Sequence, residues 1–292
     1  MKMSKKTNRG DSVLDKARKQ ALKKAVDKHT YSKSYDVSIK QGRVVVKKKQ
    51  LGEKQMKISK ENGLSGRMKR YEKVSSPELY RKIPVIVRVD GRAFYTFTRK
   101  FKRPYDENFI KAMLSAARAV AEDMQGFKLG YVQSDEASFL LTDYDNIESQ
   151  PWFDNDLSKI VSIASSLMSV YFNSHIYDIT MGQINKQVVF DARAFNLPKE
   201  EVANYFLFRS KDWERNSLQM YARSIFSHKE LNGKKRKDIH EMLHIKGRNW
   251  TKDVPLQEKN GTFFYKGKIG LINKIDILPN YESVSALVET FI

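Results

Sequence analysis

From about residue 84 onward, the apolar positions of the chain change period in a way that spells out alternating strands and helices. Pro84 to Val89 (Pro-Val-Ile-Val-Arg-Val) is a short β-branched run, long enough for a buried strand, and it stops at Asp90-Gly91. A helix is then announced by Pro104 and Asp106. Phe109, Ile110, Met113, Ala117, Val120 and Met124 form its apolar stripe, Asp106 is its N-cap, and Gly126 stands where a C-terminal cap belongs. Lys128 to Val132 and Ala137 to Leu141 read as two strands joined by Gln133-Ser134-Asp135-Glu136, which predicts a hairpin. A second amphipathic helix is expected from about Phe153 to Tyr171, followed by a strand from Gln187 to Phe190 that ends in Asp191. The predicted order is βαββαβ. Residues 198–227 read as helical in two pieces opened by Pro198. Lys237 to Ile245 reads as a shorter helix closed by Gly247, and Gly261 to Leu271 as a final hairpin around Lys266-Gly267.

The first part of the chain has a different texture. From Asp11 to Lys28, Val13, Leu14, Ala17, Ala21, Leu22 and Val26 recur at helical spacing among lysines, predicting a short basic amphipathic helix. Ser32 to Lys60 offers only a brief Val44 to Val46 core. Residues 1–62 are therefore expected to form a weakly structured arm, 63–195 a body of alternating strands and helices, and 196–292 a helical region with a terminal hairpin, with the first boundary at Gly63 to Gly66. The fold class expected is α+β, with a mainly antiparallel sheet carrying helices on one face.

Charge sharpens this division. The chain of 292 residues has a formal net charge of +20, and residues 1 to 70 hold 22 Lys/Arg against 6 Asp/Glu. A nearly neutral body joined to a cationic arm points to a polyanion as partner of the arm, nucleic acid first, with Lys47, Lys48 and Lys49 as candidate contacts. A solvated tail and a targeting peptide are the competing readings. The absence of cysteine excludes disulfides, thiolate metal sites and cysteine nucleophiles, leaving oxygen ligands and acid-base groups to carry any chemistry. No apolar run approaches the roughly 18 residues of a membrane span, so a soluble, cytoplasmic protein is expected.

Carboxylates are thus the residues to follow. In a βαββαβ sheet the first strand lies beside the hairpin, which lets Asp90 and Asp135 converge on one cavity. Two carboxylates with backbone oxygens form a ligand set suited to magnesium, and two such ions support in-line displacement at phosphorus. Gly91, Arg92, Ala93, Phe94 and Tyr95 follow at once and offer backbone donors to a triphosphate, while Arg99, Lys100, Lys102 and Arg103 could neutralise it. Each motif taken singly also fits an ordinary turn. His240-Glu241-Met242-Leu243-His244 matches a zinc protease signature, but it sits on a short helix in lysine-rich surroundings with no clear third ligand.

The motifs in order are Arg-Val-Asp-Gly-Arg-Ala-Phe-Tyr-Thr-Phe-Thr (88–98), Phe-Lys-Arg-Pro-Tyr-Asp (101–106), Gly-Tyr-Val-Gln-Ser-Asp-Glu-Ala-Ser (130–138) and Phe-Asp-Ala-Arg (190–193). Together they resemble the tRNA-histidine guanylyltransferase superfamily of 3′-to-5′ nucleotide-adding enzymes, over residues 64–265. The resemblance implies a polymerase/cyclase-like palm in which Asp90, the Gly91 carbonyl and Asp135 bind two Mg2+ ions, with Glu136 as an adjacent catalytic acid. It also implies a nucleotide lying along residues 90–95 and against Ser134, with Arg103 and Lys159 on its triphosphate. Tyr95 replaces the family's usual His. The tract Asp-Trp-Glu-Arg-Asn-Ser-Leu-Gln (212–219) is similar to the guanylyltransferase-like branch, which implies templated repair of truncated tRNA 5′ ends using ATP, GTP or other nucleoside triphosphates, and it adds Arg215 and Asn216 as candidate RNA contacts. By the same resemblance a homo-oligomer, commonly a tetramer, is expected. Untemplated guanylate addition to histidine tRNA, nucleotidyl cyclisation and a non-catalytic RNA-binding role remain open alternatives.

Overall fold

The computed structural model describes residues 20, 35–40, 43–48, 63–267, 272–275 and 280–292. The amphipathic helix expected over Asp11 to Lys28 lies outside these residues apart from Gln20, and so does Lys49. The chain divides into two units, Met1–Glu72 and Lys73–Ile292. In the first, β1 (Tyr35–Lys40) and β2 (Arg43–Lys48) pair antiparallel, with Tyr35 opposite Lys48 and Lys40 opposite Arg43. This hairpin falls in the stretch read as a weakly structured arm, and Lys47 and Lys48 belong to its second strand. The anticipated boundary at Gly63 to Gly66 is occupied by helix α1 (Leu64–Val74), which has no buried residue.

The second unit is built on a six-stranded sheet whose neighbours all pair antiparallel. β3 (Val85–Gly91) leads through a short turn of helix, α2 (Phe94–Phe97), to α3 (Glu107–Asp123). β4 (Phe127–Gln133) and β5 (Glu136–Leu141) form the hairpin, and α4 (Leu157–Ile179) leads to β6 (Phe190–Asn196). The predicted βαββαβ order is present. The last strand, however, begins where the hydrophobic pattern put its end: Gln187 to Val189 precede it, and Phe-Asp-Ala-Arg-Ala-Phe-Asn forms the strand itself. It lies at the sheet margin with alternating burial, so it lacks the apolar run that marks an interior strand.

Beyond β6, α5 (Val202–Arg223) is one long helix after a single 3-10 turn, where two pieces were expected. The short helices α6 (His228–Leu231), α7 (Arg236–Ile245), α8 (Trp250–Asp253) and α9 (Leu256–Asn260) precede β7 (Thr262–Lys266), β8 (Ile272–Ile275) and α10 (Tyr281–Glu289). The terminal hairpin is no separate appendage, because β7 pairs with β4 and gives the sheet order β6-β3-β5-β4-β7-β8.

Strand alternation explains the layers. Val85, Val87 and Val89 face an apolar cluster with α3 and α4, whereas Ile86 faces a second cluster with α5 and α10. Helices therefore cover both faces, those of the palm on one and those of the C-terminal region on the other. Within α3 the Asp106 side chain accepts a hydrogen bond from the Phe109 N–H at 3.1 Å, which satisfies one of the free donors of the first turn. The chain then turns through Gly126 at φ +78°, where a side-chain carbon would lie 2.2 Å from the Thr142 carbonyl. A third cluster, built around Leu218, Ile239, Leu243 and Trp250, ties the short helices to the second half of α5.

Candidate active site

The register of three strands fixes the position of the acidic residues. Asp90 lies opposite Glu136 on β5 and opposite Asp191 on β6, and the Gly91 N–H donates to the Asp135 carbonyl at 3.0 Å. Asp90 and Asp135 thus come together at one end of the sheet although 45 residues separate them in sequence. Ser134 holds the hairpin bend at φ +46° and Ala93 precedes α2 at φ +58°, so two non-glycine residues occupy the left-handed region beside the acids. Such conformations persist where surrounding structure enforces them. Gly91 is required by space: a side-chain carbon there would sit 2.3 Å from the Phe94 ring.

Burial pushes the Asp135 carboxyl up to about 6, the charges of Asp90 and Glu136 add to the rise, and a hydrogen bond with Ser134 opposes it. Two acids forced together and partly desolvated are stabilised as anions by a divalent cation, which reverses the sign of the local field. With the Gly91 carbonyl beside them, the donors are all hard oxygens of the kind magnesium takes. The residues fit that ion.

Asp135 opens into a cleft of about 570 Å³. Of the residues singled out from sequence, Phe94, Tyr95, Arg103, Ser134 and Asp135 line it, together with Lys102. Of the five N–H groups proposed as phosphate donors, those of Gly91 and Arg92 are already bound, to the Asp135 and Val189 carbonyls at 3.0 Å each. Those of Ala93, Phe94 and Tyr95 stand at the start of α2, before intrahelical bonding begins. Tyr95 is 75% exposed, with the Arg99 guanidinium 5.2 Å from its ring centre.

Lys159 is not brought to this place within one chain. It lies in the first turn of α4, whose start is tied to the opposite end of the sheet. The Leu157 N–H donates to the Pro77 carbonyl, Asn155 to the Tyr80 carbonyl, and the Tyr80 N–H to Asn196, which pairs with Val85. Only the later part of α4 reaches the Asp90 end, where Asn173 bonds Val188 and Ser169 bonds Phe190. From Lys159 to Asn173 the helix rises about 20 Å, more than a triphosphate spans. Arg215 and Asn216 lie on α5, where Arg215 is paired to Asp212 at 2.6 Å.

The structure adds residues that sequence reasoning missed. Trp213, Met220, Arg223, His228 and Glu258 form the far wall of the cleft, contributed by α5 and the short helices. Arg209 on α5 grips Glu136, with Nε–Oε1 at 2.7 Å. Neither group carried a local signal, because each depends on how a distant helix packs. In the His-Glu-x-x-His tract, Ile239 and Leu243 are buried, the His240 ring packs 5.9 Å from Trp250, and Glu241 pairs with Lys237. Among the described residues no three His, Asp or Glu side chains gather as a metal site there or elsewhere. Nor does any described helix have the length and apolar character to cross a membrane.

An antiparallel sheet backed by α3 and α4, with paired aspartates at one strand end and at the adjoining hairpin bend, defines a polymerase-type palm and a nucleotidyltransferase. Comparison with known proteins makes the assignment narrower. The sequence model of the family described as "Thg1: tRNAHis guanylyltransferase" matches residues 65–198. A bacterial tRNA(His) guanylyltransferase (Thg1)-like protein, solved in complex with ATP, superposes with a TM-score of 0.69 at 36% identity, covering 76% of this chain and 93% of that one. Another such protein, in complex with GTP, gives 0.65 at 30% identity, covering 78% and 99%. An uncharacterized protein of Acanthamoeba polyphaga mimivirus is 30% identical over 225 residues, 70% of this chain and 77% of its own. The chain belongs to the tRNAHis guanylyltransferase (Thg1) family.

Proposed function

We propose that this nucleotidyltransferase adds nucleotides in the 3′-to-5′ direction to the 5′ end of tRNA or a tRNA-like RNA, and that it does so as templated repair of shortened ends. The observation that carries the reading is the meeting of Asp90, Gly91 and Asp135 at one end of the sheet, where Asp135 opens into a cleft also lined by Arg103 and Ser134. Mg2+ ions held by the two carboxylates and the Gly91 carbonyl would activate the attacking oxygen and stabilise the leaving phosphate oxygens. Arg103 and Lys102 offer positive charge to a triphosphate in the cleft, and the Ala93, Phe94 and Tyr95 N–H groups offer fixed donors. ATP or GTP is the natural occupant, in keeping with the nucleotides bound by the two bacterial relatives.

The reaction has two displacements. An oxygen of the RNA 5′-phosphate attacks the α-phosphorus of ATP or GTP, and pyrophosphate departs. The 3′-hydroxyl of the incoming nucleoside triphosphate then attacks the activated 5′-phosphorus, and the nucleoside monophosphate departs. The outer face of α4 supports a homo-oligomer. Ile163, Val170 and Tyr177 are exposed there at seven-residue spacing, on a helix whose Lys and Asp/Glu residues are only Lys159 and Asp178.

The test is a labelled, 5′-truncated tRNA incubated with Mg2+ and each nucleoside triphosphate in turn, with the opposing 3′-strand base varied. Incorporation that follows the opposing base supports templated repair. Guanylate added regardless of that base would replace it with the histidine-tRNA reaction, and the absence of any incorporation would overturn the proposal.

A further inference from the structure

Glu136 stands next to Asp135 and reads in sequence as a third active-site acid, but its surroundings are unlike those of a ligand. The residue is 6% exposed, and both carboxylate oxygens are already engaged by cations and donors. Oε1 accepts from Arg209 Nε at 2.7 Å and from Gln133 Nε2 at 3.2 Å, while Oε2 accepts from Arg209 Nη2 at 2.5 Å and has Arg88 Nε 3.7 Å away. A carboxylate has about four lone-pair positions, and three carry hydrogen bonds with a guanidinium close to the fourth. The Arg209 fork is itself largely buried and has Asp212 3.8 Å from its remaining nitrogen. A fork of this kind fixes direction as well as distance, which a lysine ammonium cannot do.

This anchor sits at the root of the bend that carries the site. Gln133 and Glu136 are the closing pair of the β4–β5 hairpin, and between them lie only Ser134, in the left-handed region, and Asp135. On one side the bend is held by the Gly91 N–H on the Asp135 carbonyl; on the other it is held by Arg209, reaching from α5. A non-glycine residue in the left-handed region persists where surrounding structure enforces it, and these two partners flank Ser134 on either side.

We infer that Glu136 and Arg209 are a positioning pair: they touch neither metal nor nucleotide, and act by fixing the bend so that Asp135 meets Asp90. The inference rests on the two-carboxylate reading of the site. It places part of the catalytic geometry in the C-terminal region, outside the residues matched by the family model.

A double-mutant cycle tests it with Glu136→Gln, Arg209→Met and the combined variant. Three readouts are followed: Mg2+-dependent GTP affinity by calorimetry, hydrogen exchange at the 133–136 amides in metal-free protein, and incorporation. The neutral pair removes the unpaired charge that each single variant leaves at the fork, and circular dichroism confirms its folding. For a positioning pair, each single variant weakens GTP·Mg2+ affinity and kcat by about tenfold to a hundredfold, and the double variant is no worse than either. Exchange at the bend rises in all three. Arg209→Lys, which keeps the charge and loses the fork, falls between. Additive losses would overturn the inference. So would a loss in Glu136→Gln that Arg209→Met does not share, since that is the behaviour of a metal ligand. Asp90→Asn serves as the separate control: if it leaves incorporation intact, the two-carboxylate reading fails, whatever the cycle gives.

Discussion

The two faces of the central sheet are built to different rules. Toward α3 and α4 the core contacts are mainly apolar: Phe172 alone meets the rings of Phe94, Phe97, Phe109 and Phe190 at centroid separations of 5.5–5.9 Å, and Ile160, Ala164 and Met168 are fully buried beside it. Toward α5 the apolar cluster is interrupted by Glu136, Arg209 and Arg88, and by Ser138, bonded to the Tyr205 hydroxyl at 2.8 Å. Apolar packing is non-directional and tolerant of small shifts, whereas a buried ion pair holds its elements in one orientation and gains little net stability. The first face supplies the stability of the fold. The second trades some of it for a defined position of the catalytic bend.

The comparison is broken most severely at the acids themselves. Asp90→Asn is expected to reduce incorporation by about a thousandfold, roughly 4 kcal/mol of transition-state stabilisation, while the metal-free unfolding midpoint does not fall. Kinetics alongside denaturant melts would separate the two quantities. Met168→Ala should do the reverse, lowering stability by about 3 kcal/mol through a cavity against α3 with the turnover of folded molecules unchanged. A loss of turnover larger than the loss of folded protein would show that the two faces are not separable.

A pH series sharpens the contrast further. Because the Asp135 carboxyl rises from 3.8 to about 6 on folding, its protonated form is favoured in the native state. In a chelator the contribution of this group to stability is complete below 3.8 and is lost as pH climbs through about 6. Thermal melts between about pH 4 and 7 should therefore show a slope that Asp135→Asn removes and that Mg2+ opposes. The smallest effect is expected at Tyr95, where the Arg99–ring contact is exposed. Tyr95→His should change nucleoside triphosphate affinity by only about two- to fivefold, measured by calorimetry.

Local chemistry made much of the palm legible. Asp106 and Gly126 bracket α3 because a cap and a left-handed turn each demand particular residue types, the Asp90 strand end follows from a short β-branched run, and the Asp135 bend from the polar tetrad between two apolar runs. β6 was misplaced because Phe-Asp-Ala-Arg-Ala-Phe-Asn alternates along a margin strand and resembles loop composition. The same weakness hid β1 and β2, where apolar positions are interleaved with Asp36, Ser38 and lysines. Arg209 could not be found from its neighbours, since its partner lies 73 residues away and its burial depends on the packing of α5. Lys159 illustrates the converse: the resemblance in sequence suggests a contact with the triphosphate, but the direction in which α4 crosses the sheet carries it, within one chain, to the end opposite Asp90.

The pairing of β7 with β4 has a consequence for how this protein comes into being. β4 has β5 on one side, but its other edge is completed only by Thr262–Lys266, so a chain still emerging from the ribosome exposes that edge until residue 266 has been made. The nascent palm is therefore a template for unwanted strand addition during most of its synthesis. Over the same interval its cleft still lacks the wall that α5 and the short helices supply.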